Sequence, residues 1–100
     1  MVDLTYKDNV LCARLYGEID HHLAPGIRGS IDAQIETCRP DRLELDFSAV
    51  TFMDSSGIGL VMGRYRAMSL IGGRVDVVNI PKSLERMFAL SGLSTLGVLR

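Results

Sequence analysis

The chain has 100 residues, 47% apolar and 23% charged, with a formal net charge of −1. This is enough apolar matter for one packed domain spanning residues 1–100, and too much for a disordered segment. No two Lys or Arg residues are adjacent, which argues against a nucleic-acid or membrane-surface role resting on charge.

Two strands are expected first, Leu4 to Lys7 and Val10 to Tyr16, joined at Asp8-Asn9, a favoured pair for a hairpin turn. In the second strand Leu11, Ala13 and Leu15 share one face, and Gly17 breaks the pattern. Leu23, Ile27, Ile31 and Ile35 then recur every four residues, the stripe of an amphipathic helix, with Pro25 in its first turn and Asp20 or a nearby His as its cap. Arg42 to Phe47 alternates strictly: Leu43, Leu45 and Phe47 on a dry face, Arg42, Glu44 and Asp46 on a wet one. The segment SAVTFMDSSG is read as a loop. A helix follows from about Ser56 to Ser69, with Ile58, Val61, Met62, Tyr65 and Met68 on one side and Gly72-Gly73 at its end.

Arg74 to Val78 is a β-branched strand. Pro81 opens a third helix with Leu84, Met87, Phe88 and Ser91 on one face, and Gly92 stands where a terminating glycine belongs. A last short strand is expected from Leu96 to Leu99. The order β-β-α-β-α-β-α-β implies an α/β fold: a mixed, mostly parallel sheet with an N-terminal hairpin. The wet face of the Arg42 strand implies helices packed mainly on one side.

Functional groups in α/β sheets collect where strands end and helices begin. Phe52-Met53-Asp54-Ser55-Ser56-Gly57-Ile58-Gly59 is such a junction. Two adjacent hydroxyls fall where unpaired N–H groups and the helix dipole favour an anion, so a serine phosphate would be tolerated there. One serine can also simply cap the helix. Gly57 and Gly59 would let another backbone approach, and Met53 and Ile58 are either apolar contacts for a partner or core. Arg64 and Arg66 are read as partner contacts or as a solvated helix face. Glu18 and Asp20 join Asp54 in one acidic neighbourhood if the two loops meet.

Other chemistries fit poorly. Neither serine has the flanking glycines of a G-x-S-x-G elbow, which argues against a hydrolase. Gly57, Gly59 and Gly63 have the wrong spacing for a dinucleotide loop. His21-His22 lacks a third ligand and Cys12 and Cys38 sit in no metal-ligand spacing, so neither a metal nor a cofactor is expected. The N-terminal residues lack the pattern of a signal peptide, and the longest apolar-rich stretch, Ile58 to Met62, is too short for a bilayer. A cytoplasmic protein that is not an enzyme and binds neither nucleic acid nor membrane directly is the expectation.

FMDSSGIG, GEIDHH and GRYRAMSLIGG, taken in order along the chain, resemble the corresponding segments of the STAS-domain anti-sigma factor antagonists, above all those that act in sporulation. The resemblance implies a STAS-type fold and a protein switch. In such a switch the unphosphorylated antagonist binds an anti-sigma factor that is also a serine kinase and frees the sigma factor. Phosphorylation of the first serine of D-S-S-G, Ser55, would end the interaction, and a metal-dependent serine phosphatase would restore it. The implied partner-binding residues are Asp20, Asp54, Ser55, Ser56, Gly57, Ile58 and Gly59. A stress-response antagonist or a ligand-binding STAS module is the alternative. Members of this type continue past the last strand into a further helix, so part of Leu93 to Leu99 is expected to be uncovered.

Overall fold

The computed structural model describes residues 1–100. Its elements are β1 (Val2–Lys7), β2 (Val10–Ile19), α1 (Ala24–Cys38), β3 (Arg42–Met53), α2 (Ser55–Leu70), β4 (Arg74–Val78) and α3 (Glu85–Leu90), with 3₁₀ turns at Lys82–Leu84 and Leu93–Leu96. The sheet order is β1-β2-β3-β4. β1 is antiparallel to β2, while β2 with β3 and β3 with β4 are parallel, each joined by a helical crossover. Asp8 and Asn9 both take positive φ, 53° and 65°, so the hairpin closes on a two-residue turn even without a glycine.

Alternation assigns the two faces. Leu11, Ala13 and Leu15 of β2, Leu43, Leu45 and Phe47 of β3, and Val75 and Val77 of β4 are buried on one side. Onto them pack Ile27, Ile31 and Ile35 of α1, and Leu60, Val61 and Met68 of α2. Phe88 of α3 meets the edge of Phe47, ring centroids 5.2 Å apart and planes at 82°. All three helices therefore lie on this face. Burying one such side chain contributes about 1.5–3 kcal/mol relative to leaving it in water, so the alternation is strongly held.

The opposite face carries Cys12, Arg14, Glu44, Asp46 and Arg74, all exposed or half-buried. Asp76 alone is deeply covered there, 1% exposed beneath Arg42, Arg74 and Arg100.

Several elements depart from the expectation. β2 runs on to Ile19, because Gly17 at φ +78° lets the strand bulge and resume pairing with β3. β3 likewise continues through Ser48–Met53, so the expected loop is largely strand. The third helix is split into a 3₁₀ turn and a six-residue helix, with Gly92 beyond it at φ +84°. The expected strand Leu96–Leu99 is a 3₁₀ turn followed by one parallel bridge, Leu99 to Val77. Leu93 and Val98 are buried in the main core rather than uncovered.

Candidate functional site

The lengthened strands bring two connections together at the C-terminal ends of the central strands β2 and β3. The Asp54 N–H donates to the Ile19 carbonyl (3.1 Å), and the His21 N–H donates to Asp54 Oδ2 (3.2 Å). The β2–α1 turn and the β3–α2 junction thus form one surface. Asp54 sits in extended backbone and is the N-cap of α2, its Oδ1 accepting from the Ser56 N–H at 2.8 Å. The cap is the aspartate, not a serine. That bond, helped by the one from His21, holds the Asp54 carboxyl below the ordinary aspartate value.

With Asp54 capping, Ser55 becomes the first residue of α2, exposed, its hydroxyl free of the hydrogen bonds that engage Ser69 and Ser91. Ser56 is half-buried. The first turn of α2 then separates two grooves. One, of about 530 Å³, is lined by Ser55, Ile58, Arg86, Met87, Leu90 and Ser91. The other, of about 300 Å³, includes His21, Arg28, Ser56 and Gly59.

The residues implied as partner contacts do not all reach the surface. Ser55 and Ile58 face the α3 side, and Ser56 and Gly59 the α1 side. Gly57 is buried against Met53, whose Sδ and Cγ would collide with any added Cβ. The close approach it permits is to the chain's own core, which corrects its expected place on the docking surface. Gly59 is the contrary case: it is exposed, and a Cβ there would meet open space. Asp20 is half-buried, its Oδ1 accepting from the His22 and Leu23 N–H groups at 2.9 and 3.0 Å to hold the turn into α1. Glu18 is exposed on β2, and the turn that carries Asp20 meets the Asp54 junction, as the acidic neighbourhood requires.

Two further readings are decided. Met53 is core, 3% exposed. Arg64 is neither a partner contact nor solvated: it is 6% exposed and lies 2.8 Å from Asp32 of α1, a charge contact without hydrogen-bond alignment. Arg66 is exposed. Arg86, Met87 and Leu90 beside Ser55 were not foreseen as site residues. The available signal was Leu90, an apolar residue outside the stripe of α3 and 76% exposed.

No group of three or more His, Cys, Asp or Glu side chains is placed to hold a metal ion. The Cys12 thiol is pushed up by burial and by Glu44 and Asp46, which disfavours a thiolate. No helix is long and apolar enough to cross a membrane.

An antiparallel hairpin leading into parallel βαβ units, with a capped D-S-S-G turn where β3 meets α2, defines a class, and the chain belongs to it: the STAS domain family model matches residues 1–97. Within that family it is similar to the anti-sigma F factor antagonist of Lysinibacillus sphaericus, 39% identical over 80 residues, 80% of this chain and 68% of the relative. Its similarity to the anti-sigma F factor antagonist of Paenibacillus polymyxa is 33% over 92 residues, 92% and 79% of the two chains. Among solved structures it is similar to the anti-sigma factor antagonist SpoIIAA in its unphosphorylated form, with TM-score 0.87 and 32% identity over 100% of this chain and 86% of the other. The phosphorylated form of the Bacillus SpoIIAA gives TM-score 0.79 and 32% identity over 100% and 89%.

Proposed function

We propose that this chain, read as one STAS domain over residues 1–100, is an anti-sigma factor antagonist of the sporulation type, switched off by phosphorylation of Ser55. The observation that carries the reading is the Ser55 hydroxyl, exposed and unengaged on the first residue of a helix whose cap is supplied by Asp54. The similarity to two anti-sigma F factor antagonists, and to a relative that exists in phosphorylated form, supports it.

In its unphosphorylated state the domain docks an anti-sigma factor that is itself a serine kinase, and this frees the sigma factor. Ser55, Ser56, Ile58 and Gly59 supply the contact surface, with Asp54 and the Asp20 turn at its edge. The kinase transfers the γ-phosphoryl group of ATP to Ser55 Oγ; ADP leaves, and the hydroxyl proton passes to a base on the kinase. A metal-dependent serine phosphatase hydrolyses the ester and returns the free hydroxyl. The domain itself catalyses nothing and works in the cytoplasm.

Magnitudes favour local exclusion over refolding. A phosphate at a helix start gains about 0.3–1 kcal/mol within the domain, too little to drive a second packing of a dense core. An unpaired charge trapped at an interface costs about 3–5 kcal/mol, or roughly two to four powers of ten in affinity. Amide shifts on phosphorylation are therefore expected only from Met53 to Gly59 and their neighbours.

Incubation with the kinase-type anti-sigma factor of the same genome and ATP, followed by peptide mass mapping, tests the site. Phosphate on Ser55 is expected; phosphate on Ser56 alone, or on neither, overturns the reading. Ser55→Ala should bind the anti-sigma factor and escape inactivation, whereas Ser55→Asp should bind at least about tenfold more weakly. Equal binding by the two variants would rule out the switch.

A further inference from the structure

Ser55 shares its groove with one charged side chain, Arg86 of α3. The other lining residues are Ile58, Met87, Leu90 and Ser91, and the Ser91 hydroxyl is already engaged, donating to the Phe88 carbonyl at 2.6 Å and accepting from the Leu93 N–H at 3.1 Å. Arg86 is exposed and takes no part in the ion pairs that occupy Arg14, Arg42, Arg64, Arg74 and Arg100. The other basic groups near this end of α2, the Arg28 guanidinium and the His21 imidazole, line the groove on its far side, and the His21 ring already lies 3.7 Å from Asp54. The charges around Ser55 are thus Asp54 at its own turn, Asp20 on the adjoining turn, Arg86 across its groove and Arg28 behind the helix, with the His21 imidazole beside Asp54.

From this arrangement we infer that Arg86 is the intramolecular receiver of the phosphate on Ser55, pairing with it across the groove and drawing it over Ile58, Met87 and Leu90. A phosphoserine carries about −1.5 to −2 charges and three strong acceptor oxygens, and the planar guanidinium matches them with two parallel N–H donors. Folding the phosphate over the apolar lining adds a second effect to its charge: it covers the side chains that a docking partner would otherwise bury. The inference rests on the reading of Ser55 as the modified residue and names a second residue in the same switch.

The test places phosphoserine at position 55 during translation, so that no kinase is needed, and follows the phosphate by ³¹P NMR as pH is varied. A neighbouring cation favours the dianion, so the phosphate midpoint should lie lower in the wild-type background than in Arg86→Gln, by ~0.5 pH unit for a partly exposed pair. Arg86→Lys should restore part of the shift, and Arg28→Gln should leave the midpoint where it was. Circular dichroism of the unphosphorylated variants confirms that each retains the fold. Equal midpoints in wild type and Arg86→Gln, or a shift carried by Arg28→Gln instead, overturn the inference. Absence of kinase transfer to Ser55 would sink the proposed function without touching this titration. A flat titration beside normal transfer would sink the role of Arg86 alone.

Discussion

Two aspartates on this small sheet are surrounded in opposite ways. Asp76 stands in the middle of β4 on the face away from the helices, and three arginines close over it: Arg42 at 2.9 Å, Arg74 at 3.3 Å and Arg100 at 3.1 Å. Arg42 also reaches Glu44 at 3.1 Å, the residue beside Asp76 on the neighbouring strand. Asp54 stands just past the C-terminal end of the central strand β3, and its strongest partners are two backbone N–H groups, those of Ser56 and His21. The first cluster uses long side chains to neutralise a buried charge, with Asp76 Oδ2 hydrogen-bonded to Arg42 and Oδ1 facing Arg100 as a charge contact without hydrogen-bond alignment. The second uses backbone already fixed by the fold, and leaves the adjacent Ser55 hydroxyl free. The richer charge cluster is thus the buried one, and the proposed functional end is marked by an exposed hydroxyl left unengaged.

The sharpest way to break this comparison is to remove each cluster's anchor. Asp76→Ala leaves three guanidiniums with only Glu44, beside Arg42, as a counter-charge. Truncating a buried partner costs about 3–5 kcal/mol, but these arginines can swing partly into solvent, so a loss of about 2–3 kcal/mol is expected. In a domain of this size that is a fall in Tm of about 10–20 °C. Ser55→Ala should change stability by less than about 0.5 kcal/mol, as exposed substitutions generally do. Urea denaturation of both variants measures the contrast, and comparable losses in the two would erase it.

Two glycines of α2 separate fold from function on a finer scale. Gly57→Ala drives a methyl group into Met53, which is itself buried, and overpacking of this kind costs about 1–3 kcal/mol. Gly59→Ala meets nothing and removes a flexible residue from a helix interior, so it should add about 0.5–1 kcal/mol. A glycine at a position where alanine would be more stable suits a surface that a partner backbone approaches. Gly59→Ala is accordingly expected to raise Tm while weakening capture by the anti-sigma factor. Unchanged binding by this more stable variant would remove Gly59 from the contact surface.

Legibility in the sequence followed the range of the interactions. The hairpin, the first half of β3 and the isoleucine stripe of α1 declare themselves through periods of two and four, because their burial depends on their own spacing. The second half of β3 does not. Its pairing with Tyr16–Ile19 depends on register shifts near Arg14 and Gly17 of another strand, which break the alternation that would reveal it. Arg64 was illegible for the same reason: an arginine on a helix reads as solvated until Asp32 of α1 is placed beside it. At the site, the D-S-S-G junction was visible as a local pattern. Its division into two grooves was not, because Arg86 and Leu90 arrive from α3, about thirty residues further along.

The smallest effect expected is the pH response of Asp54, and it probes whether its charge as well as its shape matters. The Ser56 N–H, with that of His21, lowers the carboxyl below its ordinary value. A carboxylate depressed in the folded state stabilises the fold fully at pH above the unfolded value of about 3.9, and that contribution disappears as pH falls through the folded value. Asp54→Asn keeps an acceptor for the Ser56 N–H, and Asn is as good an N-cap as Asp, but its amide NH2 cannot accept from the His21 N–H, so the substitution removes the charge and that bond together, as protonation of the carboxylate does. The wild type should therefore be slightly the more stable of the two from pH 7 to pH 5, and the difference should close below about pH 4. The other carboxylates titrate in both proteins and cancel in the comparison. Thermal melts of the pair across that range measure the gap. A gap that stayed constant down to pH 3, or widened, would mean that the carboxylate charge is not what ties His21 and Ser56 to the junction.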